Sequence, residues 1–356
     1  MPESISAPPA LVSRDAVAII GAGMAGLVCA HLLAQHGVTV SLFDKARGPG
    51  GRMSSKGRPA ATLDLGAQAF TVRDAEFARQ LTQWQHAGCV APWPTCTYQA
   101  SASGWQTHDD GQLRYAGAPR MSALTRYLID AITLHAHTDF HSETRIVALE
   151  RVTDGEWHLK DAAGNHHGPF SRVVITAPPP QASELIGQWA PELSAACEAL
   201  PQRACWAAWA IFAAPLPTPS GIAEHWQSLH AKHPKLRLAS RNHTKPGREE
   251  QPESLSLLAQ LDWSDAHIEL TPEDAAQQLL EAFLEYLPVP AVSIPELIEL
   301  GAHRWRYAQP AKPNGQGYLY SQQGIALCGD SWKGSRVEDA WLSGNGLGRA
   351  LIGRSV

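Results

Sequence analysis

The feature that most constrains this chain is a run of six residues, Gly21-Ala22-Gly23-Met24-Ala25-Gly26, directly after an apolar stretch at 17–20. The spacing is G-x-G-x-x-G, and its setting gives it weight. Apolar residues recur at helical spacing over 24–36, and Gly37 stands where such a helix would end. A second apolar strand follows at 38–43. Strand, glycine turn, helix and strand make a β-α-β unit. In that unit Gly21 permits the tight turn, Gly23 lets a diphosphate approach the backbone, and Gly26 lets the helix close on the strand. The helix start at Met24 and Ala25 turns free N–H groups and a positive dipole end toward the phosphates. Asp44, followed by Lys45, closes the second strand. A carboxylate there suits a ribose hydroxyl and disfavours a 2′-phosphate.

This fingerprint does not separate FAD from NAD, but later residues do. Gly48-Pro49-Gly50-Gly51-Arg52-Met53 is a second glycine loop, in which Arg52 offers a charge-assisted donor to phosphate. Leu327-Cys328-Gly329-Asp330 ends a strand in Gly-Asp, and 337–344 opens a helix. The amides of that helix start, around Val337, Glu338 and Ala340, would face a ring that gains negative charge on reduction. The combination favours FAD. With no Ser-Gly-Gly-Cys type attachment site, the cofactor is expected to be non-covalent.

The chain has 356 residues, enough for two domains. Hydrophobic residues make up 44% and charged residues 18%, which is ordinary globular usage. The net charge is -5 with no basic stripe, so nucleic acid is not expected as a partner. No apolar run reaches membrane-spanning length, and 1–14 reads as a disordered tail without a signal peptide. The six cysteines form no CxxC, so neither a disulfide framework nor a metal site is expected, and a cytoplasmic location is. His166-His167 reads as a solvated loop. A helix is expected at 74–88, antiparallel strands over 89–118, and a helix at 122–134 capped by Ser122. Strands follow at 144–150, 157–161 and 172–177. The first two would form a hairpin turning at Asp154-Gly155, and Pro178-Pro179-Pro180 would mark an exit to another domain. Segment 181–300 mixes helix signals (191–200, 272–287) with strand-like runs (205–212, 254–261), and a further strand is expected at 325–328.

Taken together, the first glycine motif, Asp44, the second glycine loop, Asp64-Leu65-Gly66-Ala67-Gln68 and Gly329-Asp330 resemble the flavin-containing amine oxidase superfamily. Within it, 64–71, 240–248, 303–308 and 336–344 resemble the renalase family and its bacterial relatives. The resemblance implies a p-hydroxybenzoate-hydroxylase-like topology. An α/β, Rossmann-type FAD-binding domain would comprise 15–88, 119–180 and 301–356. An inserted α+β substrate domain on an antiparallel sheet would comprise 89–118 and 181–300. Implied cofactor contacts also include Gly51, Met53, Gly66, Ala67, Gln68 and Val147. The implied reaction oxidises 6-dihydro or 2-dihydro isomers of NAD(P)H to NAD(P)+, with O2 reduced to H2O2. The implied assembly is a monomer or weak homodimer. Gly344-Asn345-Gly346-Leu347-Gly348 departs from the family pattern, in which this helix is alanine-rich.

Hydride transfer to a flavin needs stacking in a dry pocket more than acid–base help, so no catalytic triad is expected. Candidate pocket walls are Trp206, Trp209, Trp226, Trp305, Tyr307, Trp332 and Trp341, with core packing the ordinary alternative for each. Arg241, Lys245 and Arg248, around Asn242 and His243, would be cations for the substrate's diphosphate at a pocket mouth, or else a solvated loop. In a strand Arg304 and Arg306 would point away from Trp305 as ion-pair partners. His243 and His303 are candidates for proton movement. A second G-x-G-x-x-G is absent, which argues against a disulfide-reductase type of flavoenzyme. Two rival readings share the FAD motifs. One is an amine oxidase or desaturase, in which Lys333 or another lysine would stand near the flavin. The other is a non-catalytic flavin-binding redox sensor.

Overall fold

The computed structural model describes residues 8–11, 15–152, 155–287, 293–312 and 315–353. Most of the expected tail and Asp154 of the expected hairpin turn lie outside the described residues. The chain packs as two compact units. The first takes in Met1–Gly51, Thr125–Gln202 and Gln309–Val356, and the second takes in Arg52–Leu124 and Arg203–Ala308.

The first unit is built on a six-stranded sheet. Ala16–Ile20 lies between Thr39–Phe43 and Arg172–Ile175, parallel to both. Thr138–His141 and Ile325–Cys328 extend the parallel set on either side, and Tyr318–Tyr320 closes one edge antiparallel. Ile325–Cys328 is buried throughout and Ala16–Ile20 nearly so, which is why their sequences run apolar rather than alternating. The first helix, Met24–Gln35, is buried on nearly every side from Met24 to Ala34. Its cover is the C-terminal helix Val337–Leu351, which runs unbroken through its three glycines. A Cβ at Gly344 would stand 2.2 Å from Ala25 O, and one at Gly348 would stand 2.9 Å from the Leu32 side chain. These two glycines are the condition for close approach of the two helices.

A three-stranded antiparallel sheet, Ile146–Arg151, Trp157–Asp161 and His166–Phe170, also belongs to this unit. Two expectations change here. His166-His167 lies in a strand, where the His167 ring nitrogen Nε2 stands 3.0 Å from Asp161 Oδ2. The proline run does not leave the unit. Pro179 opens the helix Pro179–Ile186, where a missing N–H costs nothing, and that helix packs on the same core through Ala182 and Ile186.

The second unit carries a seven-stranded sheet, in the order Leu297–Pro310, Gln202–Phe212, Ser254–Ala259, Leu236–Arg241, Ser228–Ala231, Thr97–Ser101 and Gly104–Thr107. From Gln202–Phe212 through Ser254–Ala259 and Leu236–Arg241 to Ser228–Ala231 neighbours pair antiparallel, as do Thr97–Ser101 and Gly104–Thr107, whereas Ser228–Ala231 and Thr97–Ser101 pair parallel. Helix Pro272–Leu284 covers one face through Leu279, Leu280 and Phe283. Side chains alternate along Gln202–Phe212. Trp206, Ala208, Ala210 and Phe212 face that helix, while Cys205, Ala207, Trp209 and Ile211 face Leu63, Leu65 and Trp305.

The domain boundaries expected at 88, 119, 180 and 301 fall elsewhere. Segment 52–88 packs with the second unit because Thr62–Asp64 is buried against residues 242–256. Residues 301–308 stay there as part of one long strand. Residues 181–202 stay with the first unit because their helices pack on its core.

Candidate functional site

The glycine turn has the geometry that its spacing requires. Gly21 has φ 112°, and a Cβ there would stand 2.3 Å from Thr176 Oγ1. Thr176 Oγ1 donates to Gly21 O at 2.9 Å, pinning the turn to the neighbouring strand. A Cβ at Gly26 would strike Gly21 O at 2.0 Å. Gly23 differs, since nothing lies within 4 Å of where its Cβ would stand. The helix that follows takes no side-chain cap and has no acid in its first turn. Its start at Met24 and Ala25 is an open, electropositive set of amides beside an open space, which fits a diphosphate.

Asp44 does more than wait for a ribose. Its Oδ2 accepts from the Ala22 N–H at 2.7 Å and its Oδ1 from the Ala46 N–H at 2.8 Å. It ties the second strand to the glycine turn and keeps lone pairs for a hydroxyl donor. The second glycine loop lies on the first, with the Gly50 N–H donating to Ala22 O at 2.9 Å. Gly51, at φ 53°, would bring a Cβ to 3.6 Å from Gly23 Cα. Lys45 is exposed. Val147 stands on the three-stranded sheet, 44% exposed, beside a surface cavity of about 240 Å³ shared with Glu184 and Gly187.

The closing segment is held from within. The Gly329 N–H donates to Ser343 Oγ at 2.8 Å, and Ser343 Oγ donates to Gly317 O. Asp330 is buried, with the Ser331 N–H on its Oδ1 at 2.9 Å, and the Lys333 N–H donates to Asp330 O at 2.9 Å. Val337, Glu338, Asp339 and Ala340 form the first turn of the C-terminal helix. That turn is not purely electropositive, because it contains two buried carboxylates. Arg336 answers both, at 3.0 Å from Glu338 and 2.7 Å from Asp339. Burial pushes the Asp339 carboxyl up, but Arg336 brings it below the ordinary range. Trp341 is buried in the same helix.

In the second unit the tryptophans sort by face. Trp206 is core, donating to His267 O at 3.0 Å. Trp226 is core, meeting Trp105 edge-on at 5.1 Å, and Trp332 is in the core of the first unit. These three are core residues rather than pocket walls, Trp206 and Trp226 in the apolar cluster under helix Pro272–Leu284 and Trp332 in that of the first unit. Trp209 is closely packed. Lys56 Nζ sits 3.9 Å above its ring, a Cβ at Gly301 would stand 2.4 Å from the ring, and its Nε1 donates to Glu299 at 2.9 Å. Trp305 and Tyr307 are partly exposed. Trp305 Nε1 donates to Leu65 O at 2.8 Å, and His303 meets its ring edge-on at 4.3 Å. Burial, with Lys56 nearby, lowers the His303 pKa. Arg304 and Arg306 do face away from Trp305, toward Glu269 at 3.4 and 3.3 Å.

The basic cluster is the largest correction. Arg241, Lys245 and Arg248 are 5%, 0% and 1% exposed, so they neither ring a pocket mouth nor lie in a solvated loop. Arg241 pairs with buried Glu253. Lys245 and Arg248 grip Asp64 Oδ2 at 2.9 and 2.7 Å, while Ser55 donates to Oδ1 at 2.6 Å. Burial pushes Lys245 down to about 8 against the pull of Asp64. Asn242 is fully buried in this network, accepting from the Asp64 N–H at 3.1 Å and donating to Ser256 Oγ at 2.8 Å. His243 Nδ1 lies 3.5 Å from Glu253, and burial lowers its pKa. Gln68 accepts from Lys245 at 3.2 Å and donates to Asp64 O and Gly66 O at 2.5 and 3.1 Å, so its amide orientation is fixed. A Cβ at Gly66 would stand 2.0 Å from Arg52 O, which also accepts the Ala67 N–H at 3.0 Å. Arg52 donates to Ala308 O at 3.1 Å, and Met53 is buried beside it in the turn Gly51–Met53. The sequence reading missed Lys56, Arg58 and Glu299, for which no motif offered a signal.

A Rossmann-like unit with an open glycine cradle, joined to a sheet-rich insert, defines an FAD-dependent oxidoreductase fold. The family described as "Flavin containing amine oxidoreductase" matches residues 88–346, and an "NAD(P)-binding Rossmann-like domain" matches 19–83. The chain therefore belongs to the flavin-containing amine oxidoreductase family, and FAD is its cofactor. Hydroxyneurosporene desaturase of Rubrivivax gelatinosus is 47% identical over 57 residues, 16% of this chain and 11% of that protein. The tRNA 5-methylaminomethyl-2-thiouridine biosynthesis bifunctional protein MnmC of Marinobacter nauticus is 44% identical over 66 residues, 18% of this chain and 10% of that protein. The chain thus matches about a tenth of the length of these curated relatives. Among solved structures, reduced UDP-galactopyranose mutase superposes with TM-score 0.73 at 12% identity, covering 96% of each chain. A putrescine oxidase variant gives 0.72 at 13% identity, covering 96% of this chain and 99% of that one. Both show the shared fold. Among the described residues no helix is long and apolar enough to cross a membrane.

Proposed function

We propose that the protein is an oxidase of isomeric dihydronicotinamide dinucleotides, converting the 6-dihydro or 2-dihydro forms to NAD(P)+ and passing the electrons to O2 to give H2O2. The observation that carries this reading is the sign of charge beside the partly exposed aromatics of the second unit. Trp305 and Tyr307 share a strand with His303, and Lys56 and Arg58 stand over the neighbouring Trp209 at 3.9 and 5.9 Å. Glu299 bonds Arg58 at 2.5 Å, leaving the patch with a surplus positive charge. A flat anionic dinucleotide gains there, whereas an ammonium substrate is repelled. The resemblance of 64–71, 303–308 and 336–344 to renalases points the same way.

FAD supplies the two-electron acceptor and, once reduced, the donor to dioxygen. The residues suited to hold it are the amides at Met24–Gly26 with the space at Gly23, the Asp44 carboxylate, the second glycine loop, and Gly329-Asp330. A dihydronicotinamide loses a hydride and becomes an aromatic cation, so no side chain need take a proton in that step. Trp305 would wall the ring, and neutral His303 at its edge adds no charge that opposes the developing cation. The deciding experiment mixes the yellow protein anaerobically with 6-dihydro-NAD, 2-dihydro-NAD, NADH and a panel of amines. Rapid loss of flavin absorbance with a dihydro isomer is expected. Bleaching by an amine alone would overturn the reading.

A further inference from the structure

Lys56 occupies an unusual position for a lysine in strand Ser55–Gly57. Its ammonium lies on the face of Trp209, which is packed closely against Gly301 and bonded at its Nε1 to Glu299. Trp209 is therefore a pedestal rather than a stacking surface. The neighbouring cation, Arg58, is bonded to Glu299, whereas among the described residues Lys56 makes no close ion pair and feels Glu299 only from further away. Trp209 and Trp305 belong to one apolar cluster, so the ammonium stands on the same sheet face as the partly exposed aromatic.

We propose that Lys56, seated on Trp209 beside Arg58, binds the diphosphate of the dinucleotide substrate. The inference rests on the proposed function above and replaces the buried Arg241, Lys245 and Arg248 in that role. Partial burial and the adjacent Arg58 lower the Lys56 pKa and outweigh the opposite pull of Glu299, so an arriving anion relieves a cost already present. The ring holds the ammonium in place, which reduces the ordering that binding would otherwise require.

The test compares two hydride donors in the FAD-loaded protein, 6-dihydro-NAD and 6-dihydronicotinamide riboside, which lacks phosphates. Flavin reduction is followed anaerobically in wild type, Lys56→Met and Lys56→Arg. The expected result is a loss in Lys56→Met about 10- to 100-fold larger for the dinucleotide than for the riboside, carried mainly by the dissociation constant, with partial recovery in Lys56→Arg. Equal losses with both donors overturn the inference and leave the proposed function standing. If wild type is reduced by neither donor, the function and the inference fall together. If Lys56→Met does not fold, wild-type salt dependence decides. Reduction by the dinucleotide must weaken with ionic strength more steeply than reduction by the riboside, and equal slopes overturn the inference.

Discussion

Asp64 shows how far charge in a sequence is from function in a fold. Two buried cations converge on its one carboxylate, and Lys245 lies 181 residues away in the chain. Asp64→Asn would leave both cations without an anion, so a loss of about 3–5 kcal/mol is expected in urea unfolding. Pairing Asp64→Asn with Lys245→Met should recover part of that loss. The pH dependence follows from the same contacts. Burial pushes the Asp64 carboxyl up, but Lys245 and Arg248 outweigh it and hold it below its ordinary value of 3.8. The unfolded chain therefore takes up a proton first as pH falls. The stabilisation is complete above 3.8 and lost as pH drops through the folded value, so the melting temperature of wild type should fall on acidification more steeply than that of Asp64→Asn. The glycine turn gives a cleaner separation of folding from binding. Gly23→Ala meets nothing within 4 Å, so the apoprotein should melt within about 1 kcal/mol of wild type while FAD affinity falls at least tenfold by titration. Residue roles were legible where a motif fixes the backbone, as at Gly21, Gly23 and Gly26. They were misread at Arg241, Lys245 and Arg248, because the sequence shows a charge but not the carboxylate that will bury it.

Elements were easier to read than their partners. Four of the five parallel strands announce themselves as apolar runs, while Thr138–His141, with Asp139 and His141, gives no such signal, and the C-terminal helix follows its strand in the expected order. Two of the three glycines of that helix, Gly344 and Gly348, at odds with helix propensity, make sense only beside the first helix. Gly344→Ala should push the pair apart and cost about 1–3 kcal/mol, since its Cβ would meet backbone at 2.2 Å. Gly346→Ala is the control. Its Cβ would find the Tyr318 ring at 3.5 Å, an ordinary contact, and the alanine should add up to about 1 kcal/mol of helix propensity. Thermal melts of the two variants should move in opposite directions, and a fall in both would remove the packing argument. Strand periodicity also separates the two tryptophans of Gln202–Phe212. Trp206 and Trp209 are three apart in one strand, so they had to face opposite ways. Treating both as walls of one pocket conflicts with the two-residue period.

At the scale of the molecule, the chain builds each unit from separated segments, three for the first and two for the second. Local patterns mark strands and helices but not the unit each one joins, which is why sequence order places 52–88, 119–124, 181–202 and 301–308 differently from packing. The arrangement has a thermodynamic consequence. The last 48 or so residues bring the first unit two of its six strands and the helix over Met24–Gln35. That helix is apolar on nearly every side and cannot face water. A chain stopped at residue 308 should therefore lose the sheet edge beside Arg172–Ile175, expose the first helix and fail to hold the glycine turn. Purified under the same conditions, it should be colourless, aggregated or protease-sensitive. The intact chain should gain about 2.7 kcal/mol of stability when free FAD is at 100 times its dissociation constant. A truncated protein that stayed monomeric and yellow would mean that the C-terminal segment is dispensable for the cofactor site, and that FAD binding does not depend on the packing of the two helices.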